Sequence, residues 1–223
     1  MIIKSSRVPT NRTKQIANYF GTQGDNDTVK WIRGGALDIE MMGVSSRIAG
    51  AVFSVHHVII APEIETCHGE LRLVLDEFAR EYQLSTDARA QICIAEHQKC
   101  RVGEGAADRH WHVALPEVDP FTCRVLDNKF TKLRDEKVAR IAELRLGHPV
   151  VAGRFNRAVF KTLQSERPEL DLTPYKKALQ YLAEETDLGA DRWLDARPPR
   201  RTRQITLPDL SKGFEDQLTA GAI

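Results

Sequence analysis

Apolar and polar positions along the chain follow two rhythms. Alternating or β-branched runs occur at 1–6 (MIIKSS), 28–34 (TVKWIRG), 51–62 (AVFSVHHVIIAP), 90–98 (AQICIAEHQ) and 110–118 (HWHVALPEV), and each predicts a strand. The 51–62 run is dense in β-branched residues and closes on Pro62, as expected of a buried strand. In 28–34, Val29, Trp31 and Arg33 alternate against Lys30 and Ile32, which reads as a strand with a basic edge. Helical spacing predicts a helix over 11–24, capped by Thr10 or Asn11 and ended by Gly21 or Gly24. A weaker amphipathic helix is expected over 37–50. Thr66 is expected to open a stronger one, in which Leu71, Val74, Leu75 and Phe78 share a face.

Beyond Cys123 the rhythm is helical, with segments predicted at 128–148, 154–165 and 174–187. The order is therefore strand and helix in alternation, two adjacent strands, then helices. Two strands joined by a short connection must run antiparallel. The expected fold class is α+β, with a mainly antiparallel central sheet flanked by helices and a helical C-terminal tail. Residues 1–128 are expected to form the α+β core and 129–195 a helical extension packed on it. The basic run ARPPRRTRQ opens a linker and tail over 196–223.

Composition changes this picture little. The chain has 223 residues, 42% of them hydrophobic, and a formal net charge of +1, so any basic surface must be offset by acidic helices elsewhere. No run is long and apolar enough to predict a membrane span, and the N-terminus lacks the apolar core of a signal peptide. The four cysteines (Cys67, Cys93, Cys100, Cys123) form no CxxC pair and read as reduced thiols, which points to a cytoplasmic protein.

The chemistry concentrates around DRHWHVALPEVDP, residues 108–120. In a strand, His110 and His112 share a face. If 90–98 and 110–118 form a hairpin, His97 at the end of the first strand meets them. Three imidazoles with positions left open suit a divalent ion that also holds substrate oxygens. A closed structural zinc site that adds Cys100 is the competing arrangement. His56, His57, His68 and His148, taken singly, read as core or edge residues. Tyr19, beside Phe20 on the first helix, either packs against the sheet or serves as a nucleophile toward a metal-polarised phosphate. Arg7, Arg12, Lys14, Arg33 and Arg109 are candidates for phosphate contact, and Trp31 and Trp111 for stacking on unpaired bases.

Taken in order, MIIKSS, the helix carrying ANYF, the strand VFSVHHVIIAP and the stretch HQ…RHWHVALPEVDPFTCRVL resemble the relaxases, plasmid mobilisation nucleases of the HUH endonuclease class. His110-Trp111-His112 fits the histidine–hydrophobe–histidine motif. The resemblance spans roughly residues 1–128. It implies a divalent metal, Mg or Mn, held by His97, His110 and His112, with Tyr19 as the nucleophile. It further implies a bacterial enzyme of conjugation that nicks single-stranded DNA at a transfer origin through a 5′-phosphotyrosine. Other relaxosome and type IV secretion coupling proteins would be its partners. Pro116-Glu117 stands where such chains often carry an asparagine. A non-catalytic DNA-binding accessory protein of the same fold is the alternative, beside the structural zinc protein.

Overall fold

The computed structural model describes residues 1–99 and 108–198. Its strands are β1 (Ile2–Pro9), β2 (Thr28–Arg33), β3 (Phe53–Ala61), β4 (Cys93–Gln98) and β5 (Arg109–Pro116). The helices interleaved with them are α1 (Thr13–Gly21), α2 (Ala36–Ile48), α3 (His68–Glu81) and the short α4 (Thr86–Ala90). There follow α5 (Thr131–Leu146), α6 (Asn156–Glu166), α7 (Thr173–Glu185) and a 3-10 segment, Ala190–Asp195. The five strands form one sheet in the order β1-β3-β5-β4-β2, with every neighbouring pair antiparallel. The α+β class and the antiparallel sheet are as expected from the sequence.

Alternation along the central strands gives each face its own core. On one face Val55, Cys93, Ala95 and Ala114 pack against Ile16, Ala17 and Phe20 of α1 and Ile39 and Met42 of α2. On the other, Val58, Ile60, Ile94, Trp111, Val113 and Leu115 meet Leu71, Val74 and Phe78 of α3 and Val138 and Ala142 of α5. Each such side chain removed from water contributes about 1.5–3 kcal/mol. Helix α5 also turns Ile141 outward against Leu163 of α6 and Tyr175 and Leu179 of α7. The C-terminal helices thus stack on the sheet through α5.

Several boundaries differ from the sequence expectation for local reasons. Residues 10–12 form a 3-10 turn, and α1 starts at Thr13, whose hydroxyl donates to the Thr10 carbonyl (2.9 Å) and meets Ser54 Oγ (2.6 Å). Helix α3 is capped at Cys67, whose N–H donates to the Glu70 carboxylate at 2.7 Å, rather than opened at Thr66. Ser85 accepts from the Ala88 N–H and nucleates α4, so β4 starts at Cys93 and not at 90. Gly43 lies where α2 crosses α1: a Cβ there would stand 2.7–2.9 Å from the Thr13 side chain, so the close approach requires glycine. The tail from 199 onward, with most of the RPPRRTR run, lies outside the described residues. Among the described residues no helix is long and apolar enough to cross a membrane.

Candidate functional site

The β4–β5 ladder places His97 directly opposite His110, and Ala95 opposite His112. The Lys99 N–H donates to the Asp108 carbonyl at 2.9 Å and extends the pairing beyond His97. Period two turns His97, His110 and His112 toward the α1 face, with ring centroids 4.3 Å (97–112), 5.1 Å (110–112) and 5.5 Å (97–110) apart. One nitrogen from each ring lies within 4.8 Å of the other two, a cluster able to converge on one cation. His97 and His112 are buried and His110 is half-buried.

The ring nitrogens can be followed one by one. His97 Nε2 lies 3.0 Å from the Phe20 carbonyl, which can only accept, so this nitrogen carries the proton. His97 Nδ1 is then left with its lone pair and accepts from the Asn26 amide at 3.1 Å. His112 Nδ1 lies 2.9 Å from His57 Nε2, whereas His112 Nε2 is buried with no hydrogen-bond partner. His112 therefore has one nitrogen fixed by a neighbour and one that can offer a lone pair, as metal-binding histidines are held. His97 would have to exchange the Asn26 amide for a cation at Nδ1. Burial also favours the neutral form of His97, His57 and His112. It lowers the basicity of His97, brings His57 down to about 3, and holds His112 well below the ordinary imidazole range with help from the neighbouring imidazoles. Neutral imidazoles are the form that binds cations. The residues present fit a divalent metal.

Tyr19 comes from the last turn of α1. Its half-buried ring lies 5.2 Å from His112, 6.1 Å from His57 and 6.2 Å from His97, centroid to centroid. Burial raises its hydroxyl above the ordinary tyrosine value, so the proton stays on in the resting protein. The bond from His97 to the Phe20 carbonyl ties the end of this helix to the histidines. Trp31 stacks on Phe20 at 6.0 Å on the same side of the sheet, and Arg12 and Lys14 are exposed at the start of α1.

The other candidates for DNA contact lie elsewhere. Trp111 is fully buried in the α3 face core, and its Nε1 donates to Glu96 at 3.0 Å. Stacking on a base is thereby corrected: the period that aligns His110 and His112 turns the residue between them away. Arg109 points to that same side and pairs with Glu65 and Glu96. Arg33 donates to the Ala90 carbonyl and lines a cleft of about 400 Å³ between β2 and α3. Arg7 makes a two-pronged pair with the buried Glu117, both contacts 2.9 Å. Glu117 also accepts from Asn128 (3.0 Å) and stands 3.7 Å from His56 Nδ1. It ties β1, β3 and the segment after β5 together. Cys67, Cys93 and Cys123 are free thiols, and Cys100 lies outside the described residues.

Sequence reasoning missed His57, Asn26 and the Phe20 carbonyl. A signal for His57 exists in the pair His56-His57, because adjacent strand residues take opposite faces and one must share the side of the cluster.

No family model matches this sequence, and no curated protein matches it. Among solved structures, the conjugative relaxase TrwC in complex with oriT DNA, a metal-bound structure, aligns with 74% of this chain and 71% of its own. The TM-score is 0.37 and the identity 10%.

Proposed function

We propose that this chain is a metal-dependent DNA nickase and strand transferase of the relaxase type, with Tyr19 as nucleophile. The observation that carries the reading is the meeting of Tyr19 with the cluster of His97, His110 and His112 on one face of the sheet. The three histidines would hold Mg or Mn, which when bound supplies positive charge to the non-bridging oxygens of a scissile phosphate. Neutral imidazole ligands leave that charge available to an anionic substrate.

The chain's own residues do the rest. The Tyr19 oxygen forms a bond to phosphorus as the bond from phosphorus to the 3′ oxygen breaks. The tyrosine gives up its proton, and the departing 3′ oxygen gains one. The result is a 5′-phosphotyrosine and a free 3′ hydroxyl, with one phosphodiester exchanged for another, so the strand can be rejoined. The packing of α1 on the sheet, with the Tyr19 ring 5.2 Å from that of His112, supports a nucleophile held near the histidines before substrate binds. Arg12 and Lys14 on the same side, with Trp31, suit single-stranded DNA at a transfer origin. The core, the helical extension and the tail would then act with relaxosome and secretion-coupling partners in a bacterial cytoplasm.

The test uses a supercoiled plasmid carrying a transfer origin, incubated with the protein and Mg²⁺ or Mn²⁺. Nicked circles and a detergent-stable protein–DNA adduct are expected. Tyr19→Phe should abolish the adduct, and chelation should suppress nicking by at least about a hundredfold. A Tyr19→Phe variant that still forms the adduct removes the nucleophile assignment.

A further inference from the structure

We infer that His57 is the positioning residue for His112: a fourth imidazole that accepts the His112 Nδ1 proton and so keeps the Nε2 lone pair turned to the cation. The inference rests on the metal reading above and concerns a residue that is not itself a ligand.

Four observations support it. His57 Nε2 and His112 Nδ1 are 2.9 Å apart, within direct hydrogen-bond distance. Their rings are close to parallel, 19° between planes, which holds the pair in one arrangement. Both residues are buried, so water cannot substitute for either partner. The remaining His112 nitrogen, Nε2, is buried without a partner.

Two tautomer assignments are available for the pair, and a cation distinguishes them. If His57 donated, His112 would carry its proton on Nε2, where no acceptor meets it and no lone pair is left for a cation. If His112 donates from Nδ1, its Nε2 keeps a lone pair that a cation can take. The second assignment satisfies the bond and prepares the ligand atom together. At His97 too the ring N–H is taken by an acceptor, the Phe20 carbonyl, although the other nitrogen accepts from Asn26.

A carboxylate usually orients a ligand histidine in this way. An imidazole does so without adding a negative charge, so a bound divalent ion keeps its charge for phosphate. The neighbours of His57 explain how it is held. Its ring lies 5.2 Å from Phe20 and 6.1 Å from Tyr19, and β3, which supplies it, is an interior strand paired on both edges.

The test compares wild type, His57→Phe and His57→Gln in the full chain. Phenylalanine keeps the ring and loses the acceptor. Glutamine loses the ring and can bring an amide oxygen near the position of Nε2. Co²⁺ affinity is read from its visible absorption, and the His112 tautomer from long-range ¹H–¹⁵N spectra of the metal-free protein. Positioning predicts that Phe weakens Co²⁺ binding by about 10–100-fold while Gln stays within about threefold of wild type. It also predicts that His112 carries its proton on Nδ1 in wild type and in Gln, and loses that preference in Phe.

A purely structural role predicts the reverse order, with Phe retaining affinity and Gln losing it; that result overturns the inference. So does a wild-type spectrum with the His112 proton on Nε2, and this measurement needs no variant to fold. If wild type takes up no Co²⁺ while the tautomer is Nδ1–H and shifts in Phe, the metal reading fails and the orienting bond stands.

Discussion

Glu117 shows how one carboxylate can be mistaken for part of a site. It follows β5 directly, yet it bonds Arg7 and Asn128 beside His56, so it fixes strands and stands apart from the histidine cluster. Burial pushes its pKa up, but the nearby His56 ring and the two-pronged pair with Arg7 outweigh this and bring it below the ordinary glutamate value of 4.5. A carboxyl group that is more acidic folded than unfolded stabilises the fold above its unfolded pKa, and that stability is lost as pH falls through the folded one. Glu117→Gln should therefore cost about 2–3 kcal/mol near neutral pH by urea denaturation. The gap to wild type should close as pH drops below about 4.5, while zinc or cobalt binding is retained. At this scale legibility was uneven. Period two along 110–112 already implied that Trp111 turns from the histidines. For His56-His57 the same rule required a split between faces, but only the sheet decides which member joins the cluster.

In the proposed reading the chemistry depends on helix α1, which carries Tyr19 and whose position is set by contacts at both ends. At the start, Thr13 bonds Ser54 and packs beneath Gly43; at the end, His97 holds the Phe20 carbonyl. Gly43→Ala should push α1 away from α2 and cost about 1–3 kcal/mol in a thermal or urea melt. Adduct formation by Tyr19 should fall more than Co²⁺ affinity does, since the three histidines are carried by β4 and β5 and not by α1. Equal losses in both readouts would place the effect in general destabilisation. Strands and long helices were readable from the sequence because β-branched alternation and 3.6-residue spacing persist over many positions. Helix α4 and the Ala190–Asp195 segment were not. Each is so short that a single cap or turn decides it, and Ser85 diverted residues that otherwise read as strand.

For the molecule as a whole, the sheet separates two electrical surroundings. The α1 side carries the neutral histidines with exposed Arg12 and Lys14, whereas on the α3 side many arginines are bound to acids: Arg134 with Glu81, Arg145 with Glu77, Arg167 with Glu77, and Arg109 with Glu65 and Glu96. A net charge of +1 thus conceals an uneven distribution. Binding of a labelled single-stranded oligonucleotide, followed by anisotropy across a salt series, should depend on the first side. Arg12→Ala and Lys14→Ala should each reduce the log–log salt slope by about 0.7, whereas Arg109→Ala should leave it unchanged. An equal reduction by Arg109→Ala would show that DNA crosses to the α3 side. The register of His97 on His110 has a further consequence. Because facing strands bring these residues together, the number of residues between them is free to drift: doubling a connection costs only about 0.6 kcal/mol. A search that demands a fixed count between the first histidine and the HxH pair would pass over such a chain, while one that scores facing positions on a hairpin would find it.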